Sequence, residues 1–366
     1  MKKYDLLCML IRSALWGTPL PIKKMPSQVF RAIMNAAEKQ TVTGLIAQLL
    51  VSNNIKLSKY DAVEALYLIQ HASDRNHQIN QALIKLTKLL NDNGVNFIVV
   101  KGQTLAALYP TPDTRLPGDI DFYCDADNFW HARQVIEKIW DVEYHYDSTD
   151  VKQHMAFTHD EVEFEQHLML CHFSSPTIQR NFDQYLSTAK TINIDIEGQG
   201  IPTLEPTLNT LYTFLHLYRH LIGLGCSLRQ FCDLALLLHH HRNLIDRNRL
   251  AAMLNKIQHT RAFRAVGAIL TEHLGLPPED FPLPITTHDR THGEALLRIV
   301  FQRGNFGKYG RRHAVRSGTG YYLEALSLKL RHYIRFYPLS PKENRALLTR
   351  SIPQKIYAAF KRKSSS

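Results

Sequence analysis

Gly118-Asp119-Ile120-Asp121-Phe122-Tyr123 carries two carboxylates at i and i+2. Side chains alternate along a strand, so Asp119 and Asp121 share one face, about 6.6 Å apart along the chain, while Ile120 and Phe122 take the other. Like charges held this close repel each other. A divalent cation relieves that repulsion, and Mg²⁺ in particular is held by one or two carboxylates, waters and substrate phosphate oxygens. A half-exposed edge strand would show the same spacing, but Asp is a poor strand former and two in three residues ask for a reason. Asp119 and Asp121 are therefore read as metal ligands.

Two metals clamping an attacking and a leaving oxygen would need a third carboxylate. Residues 161–169, EVEFEQHLM, alternate so that Glu163, Glu165 and His167 share a face and Val162, Phe164 and Leu168 the other. This second strand can lie beside the first. Glu165 is the choice for the third position and Glu163 its rival, because spacing alone does not separate them.

Upstream, residues 96–100 (NFIVV) follow the turn signal Asn91-Asp92-Asn93-Gly94 and precede Lys101-Gly102, which reads as a buried strand. Gly102 then opens QTLAALY, where Leu105, Leu108 and Tyr109 recur at helical spacing. Gly allows close backbone approach, and N–H groups at the positive end of a helix suit a phosphate. A strand–Gly–helix turn alone is ordinary; the carboxylates downstream give this one its interest. Together they make a site for metal-assisted nucleotidyl transfer.

These residues carry a resemblance. Lys101-Gly102, an Ala-rich helix ending Tyr109-Pro110, Arg115, Gly118-Asp119-Ile120-Asp121 and Glu165-Gln166-His167 resemble the uncharacterised nucleotidyltransferase family of the polymerase-β superfamily. His216-Leu217-Tyr218-Arg219-His220 and Leu228-Arg229-Gln230-Phe231-Cys232-Asp233-Leu234-Ala235 resemble that family's helical second half. The resemblance spans most of residues 1–240. It implies an α+β fold with a small mixed sheet among helices, Mg²⁺ (or Mn²⁺) as metal, and a nucleoside triphosphate, ATP among the candidates, as donor.

Carried onto this chain, it implies metal at Asp119, Asp121 and Glu165, with Glu165 alternatively accepting the proton of the attacking hydroxyl. Nucleotide contacts fall to Lys101, Gly102, Gln103, Arg115 and Gly118. Gly102-Gln103 stands where the wider superfamily has Gly-Ser or Gly-Gly, and Gly102 precedes Asp119 by 119 − 102 = 17 positions, longer than in minimal members. Lys101 and Arg115 are expected to compensate with charge, Arg115 by a bidentate grip on phosphate.

Around the site the chain divides into an N-terminal helical segment (1–92), a catalytic core holding the strands (93–205), a helical domain (206–300) and a basic, largely helical C-terminal region (301–366). At 366 residues and 45% hydrophobic content there is enough chain for a core of ordinary size. Leu6, Leu7, Met9, Leu10 and Ile11 read as the core stripe of an amphipathic helix rather than a signal peptide, since Asp5 and Arg12 bound a short apolar run. No stretch approaches the roughly 20 apolar residues of a transmembrane helix. Cys8, Cys124, Cys171, Cys226 and Cys232 are odd in number and scattered, which points to a reducing, cytoplasmic setting without structural zinc.

Other residues have plainer readings. His216 and His220 stand four apart without an HExxH pattern, so they are assigned to packing or capping. Arg229 and Asp233, also i and i+4, read as a helix-surface pair worth a few tenths of a kcal/mol, or as substrate contacts. Residues 301–366 hold 15 Lys and Arg against Glu324 and Glu343, a balance of 15 − 2 = +13 in a chain of net +11. That surface suits an anionic partner such as nucleic acid, a phosphate-rich glycan or an anionic membrane face.

The sequence thus describes an enzyme moving a nucleoside monophosphate from a nucleoside triphosphate to a hydroxyl on a small molecule, sugar, peptide or nucleic-acid end, releasing pyrophosphate. The alternatives are a non-catalytic nucleotide- or partner-binding module of the same fold, or a basic nucleic-acid or membrane-surface scaffold.

Overall fold

The computed structural model describes residues 3–145, 154–310 and 318–354. The chain opens with four helices: α1 (Lys3–Trp16), α2 (Ser27–Lys39), α3 (Thr43–Ser52) and the long α4 (Lys59–Asp92). Ser58 caps α4 by accepting from Asp61 N, and the chain leaves it through Gly94 at φ +66°. Six strands follow. β1 (Ile98–Val100), α5 (Gly102–Ala106), β2 (Ile120–Tyr123), α6 (Ala126–Trp140), β3 (His154–His159), β4 (Val162–His167) and α7 (Pro176–Ser187) lead to the hairpin β5 (Thr191–Ile196) and β6 (Gln199–Leu204).

The main sheet runs β1-β2-β4-β3, with β2 and β4 parallel and both outer pairs antiparallel. This is the small mixed sheet expected. The second expected strand does lie beside the first, in a register that sets Asp121 opposite Glu165. The strand and helix near the turn are shorter than their patterns suggested: β2 begins at Ile120, leaving Asp119 just ahead of it, and α5 ends at Ala106 rather than Tyr109.

Helices resume with α8 (Pro206–Gly223), α9 (Leu228–His240), α10 (Arg247–Lys256), α11 (Thr260–Glu272), α12 (Thr287–Arg303), α13 (Gly318–Arg335) and α14 (Pro341–Ala346). Pro206 begins α8 where its missing N–H is harmless, and Glu205 accepts from Thr207 N and Leu208 N. A Ser227/Gln230 capping box starts α9, and Gln40 Oε1 accepts from Leu228 N at 3.0 Å.

Two cores result. Phe122 and Phe164 from the sheet pack with Leu83 and Leu86 of α4 and Phe129 of α6. Leu7, Leu10 and Ile11 of α1 join Phe30, Leu45 and the buried side chains of α8, α9 and α11 in the larger core. Each such side chain contributes about 1.5–3 kcal/mol when fully buried. Trp16 Nε1 donates to Leu274 O at 2.6 Å and Gln40 Nε2 to Val300 O at 3.0 Å, so the first helices are tied to the end of α11 and to α12. We take the consecutive stretches 1–92, 93–205, 206–300 and 301–366 as proposed segments, folded around these two cores.

All five cysteines are buried and free. Among the described residues no helix is long and apolar enough to cross a membrane. Of the basic C-terminal region, Arg311, Arg312, Arg316, Lys355 and the end KRKSSS lie outside the described residues.

Candidate active site

The sheet and α8–α9 enclose a cleft of about 520 Å³, lined by Lys101, Gly102, Arg115, Gly118, Asp119, Asp121, Glu163, Glu165, His167, His216, Arg219, His220, Arg229, Asp233 and Phe306, among others. Parallel pairing of β2 and β4 brings Glu165 to Asp121, and Asp119 joins them from the preceding residue. One carboxylate oxygen from each of the three lies within 4.8 Å of the others. Glu163 also lines the cleft but is exposed and stays outside that cluster. The rivalry between the two glutamates thus leaves Glu165 in the cluster.

Charge within the cluster is unbalanced. Asp121 beside Asp119 raises the Asp119 carboxyl to about 6, burial adds to the rise, Glu165 contributes further, and Lys101 opposes it. Asp121 is held the other way. Burial works against its charge, but Lys101 Nζ at 2.8 Å and His167 Nε2 at 2.7 Å both meet its Oδ1, and its carboxyl falls well below the usual range. His167 Nε2 also lies 3.4 Å from Glu165 Oε2. Burial lowers the His167 pKa, while hydrogen bonds to Asp121 and Glu165 outweigh it and raise the net value. His154 Nε2 approaches Glu165 Oε1 at 3.9 Å.

Lys101 occupies left-handed backbone at φ 59°, ψ −145°, and Gly102 follows at φ +46°. A Cβ on Gly102 would meet only Asp119 O, at an ordinary 3.6 Å, so the turn needs glycine for its φ rather than for space. The chain doubles back there so that Lys101 reaches Asp121. Its ammonium also stands 3.5 Å from His216 Nδ1.

Several expected roles are placed differently. The Gln103 side chain is buried and turns to α4, donating to Asn76 Oδ1 at 3.2 Å and to Asn80 Oδ1, so it holds helix to turn instead of facing the cleft. The Arg115 fork closes on Asp233, with Nε–Oδ1 at 2.8 Å and Nη2–Oδ2 at 2.9 Å, so the expected bidentate grip falls on a protein carboxylate. Tyr109 OH donates to the same Oδ1 at 2.7 Å. Asp233 is therefore buried under Arg115 and is no helix-surface partner of Arg229.

Arg229 instead donates from Nη1 to Leu116 O at 2.5 Å. Its Nε and Arg115 Nη1 are buried without hydrogen-bond partners among the described residues. Burial and the neighbouring Arg115 both lower the Arg229 pKa. Both unmet atoms are sealed from the cleft, although the two residues line its wall. His216 and His220 also line the cleft instead of filling the core. Burial, then Lys101, drives both toward the neutral imidazole, His220 to about 3.

Sequence reasoning passed over His216 and His220 as cleft residues and offered Arg229 as a substrate contact only beside a helix-surface pair. His167 was within reach, because alternation already put it on the face of Glu165. For Arg229 no local signal exists: only the packing of α9 against residues 115–118 brings it to the wall.

An α+β fold presenting clustered carboxylates on a small mixed sheet is the frame of a nucleotidyltransferase. The chain belongs to the uncharacterised nucleotidyltransferase family, whose model matches residues 26–275. That membership and the fold support a general role in nucleotidyl transfer. Among solved structures, an antigenic nucleotidyltransferase-like protein from Paracoccidioides brasiliensis is similar at 14% identity and a TM-score of 0.35, over 55% of this chain and 93% of that one. No curated protein matches the chain.

Proposed function

We propose that this protein moves a nucleoside monophosphate from a nucleoside triphosphate onto an acceptor hydroxyl, using Mg²⁺ or Mn²⁺ held by Asp119, Asp121 and Glu165. The observation that carries this reading is the convergence of those three carboxylates within 4.8 Å, in a cleft also lined by Arg115 and Arg229. The donor set is all oxygen, which suits a hard divalent cation, and the raised Asp119 carboxyl is the mark of a cluster short of positive charge. When bound, such a metal supplies charge to the developing oxyanions of the transfer.

The protein's own residues position the rest. Arg229, Lys101 and the backbone at Gly102 and Gly118 take the triphosphate, with Arg115 beside them in the wall. An acceptor oxygen attacks the α-phosphorus in line, forming the O–P bond as the bond to the β-phosphate oxygen breaks and pyrophosphate leaves. Glu165, partly exposed beside His167, is placed to receive the acceptor's proton. Lys101 and His167 fix the Asp121 carboxylate so that the cluster need not reorganise on binding. The acceptor is a small molecule, sugar, peptide or nucleic-acid end.

One feature favours a non-catalytic relative of this fold: Lys101 already gives Asp121 the positive charge that a cation would supply. Isothermal titration of each of the four ribonucleoside triphosphates with and without Mg²⁺, beside Asp119→Asn, separates the readings. Metal-dependent binding lost in the variant supports transfer. Metal-independent binding that survives the substitution supports the binding module, and no binding to a folded protein removes both. Binding only to anionic polymers or vesicles, steeply weakened by salt, would mark the basic scaffold instead.

A further inference from the structure

Transfer to an acceptor brings two substrates to opposite sides of one phosphorus, because the attacking and leaving oxygens stand in line. The cleft opens in two directions. A cavity of about 800 Å³ meets it along Gly118, Asp119, Glu163 and Arg229, and one of about 570 Å³ meets it along Arg219 and His220. Among the described residues, those two cavities have only Phe306 in common. The larger adjoins the residues that take the triphosphate. The smaller lies beside α8 and has the size of a pocket for a small molecule.

Arg219, half-buried on α8, is the cation at this second opening. The other cations of the cleft are engaged by the protein: Lys101 Nζ lies 2.8 Å from Asp121 Oδ1, the Arg115 fork closes on Asp233, and Arg229 donates to Leu116 O. No ion pair closes on Arg219 among the described residues; its side chain hydrogen-bonds the Cys171 thiol. Glu343 lines the same cavity and feels the Arg219 charge. Its carboxylate is already held, accepting from Ser174 N at 2.6 Å and Ser175 N at 3.0 Å. His220 beside Arg219 is kept neutral by burial and by the charges of Lys101 and Arg219. A guanidinium presents a planar fork of donors that matches phosphate and carboxylate oxygens.

We propose that the 570 Å³ cavity is the acceptor site, and that the acceptor carries, beside its attacking hydroxyl, a phosphate or carboxylate group held by Arg219. This rests on the reading of the cleft as a nucleoside triphosphate site. With the triphosphate along Gly118 and Arg229, the Arg219–His220 opening is the approach that the phosphates leave clear. The acceptor's anion rests on the guanidinium while its hydroxyl enters the carboxylate cluster. There the new O–P bond forms, the hydroxyl proton passes to Glu165, and pyrophosphate departs on the other side. Arg219 binds the acceptor and takes no proton.

The test is calorimetric titration of inorganic phosphate and of acetate into protein saturated with Mg²⁺ and the non-transferable α,β-methylene analogue of its tightest-binding nucleoside triphosphate. With the donor's place filled, one of the two anions is expected to bind, and the tighter one names the acceptor's charged group. Arg219→Gln, its fold checked by circular dichroism, is expected to weaken that anion about tenfold or more and to leave the nucleotide analogue within about twofold of wild type. Arg219→Lys keeps the charge without the fork and should fall between. Wild-type protein that binds neither anion once the analogue is in place would overturn the proposal without any variant. Equal losses of anion and analogue in Arg219→Gln would put Arg219 in the donor site, and an unchanged anion affinity would put the anion elsewhere; either result is also fatal to it. If no triphosphate binds wild type, the donor-site reading falls first and takes the proposal with it.

Discussion

Two groups of carboxylates share the cleft wall and are treated in opposite ways. Asp233 is matched: Arg115 grips both its oxygens and Tyr109 donates to one of them, all buried. Asp119, Asp121 and Glu165 are mismatched, three acids against Lys101 and His167, and the surplus pushes the Asp119 carboxyl to about 6. The matched group joins the turn before β2 to α9 and needs nothing further. The mismatched group is held together by the fold, and under the proposed function a divalent cation supplies the missing charge. Stability and function thus separate within a single wall.

The sharpest break is Asp119→Asn, which should lower transfer turnover about 10³–10⁴-fold, equivalent to about 4–5.5 kcal/mol, with the fold intact by circular dichroism. Asp233→Ala should do the reverse. It strands the Arg115 guanidinium in the interior and should lower unfolding free energy in urea by about 3–5 kcal/mol. An Asp233→Ala protein as stable as wild type would end the distinction between the groups.

Lys101→Met removes the internal cation from Asp121 and should tighten Mn²⁺ binding about tenfold, read by titration, because metal and ammonium compete for one carboxylate. Unchanged affinity would show that Lys101 does not occupy the metal's place. A subtler test uses pH. With its carboxyl raised from 3.8 to about 6, folded Asp119 keeps a proton that the unfolded chain has already released. Stability from this group is therefore present below pH 4 and is lost as pH rises through 6. Asp119→Asn should remove about 1 kcal/mol of that decline, allowing for water's access to a half-buried group, measured as urea midpoints from pH 4 to 7. Smallest of all should be Glu163→Gln, with turnover within about threefold of wild type, against a loss of at least a hundredfold for Glu165→Gln.

Much of this wall was legible in the residues. The i, i+2 carboxylates and the alternation of EVEFEQHLM forecast two strands with acids on one face, and β2 and β4 pair that way. The Gly102 turn was legible too, although its helix stops at Ala106. Arg115 and Asp233, 118 positions apart, were not read as partners of each other, because opposite charges look available until burial pairs them. His216 and His220 failed similarly: helical spacing names a face but not what faces it. Phe306 looked like part of a basic tail and proves to be an aromatic at the cleft.

By itself the sequence determined the local order of this protein: helices from apolar spacing and caps, strands from alternation, and carboxylates spaced to share a face. Short-range sterics and side-chain periodicity act within a few residues, so they can be read along the chain. Only the tertiary structure decided which charges are matched and which are left unbalanced. That choice depends on distances between residues a hundred or more positions apart and on the exclusion of water around them, and neither is written in any local pattern.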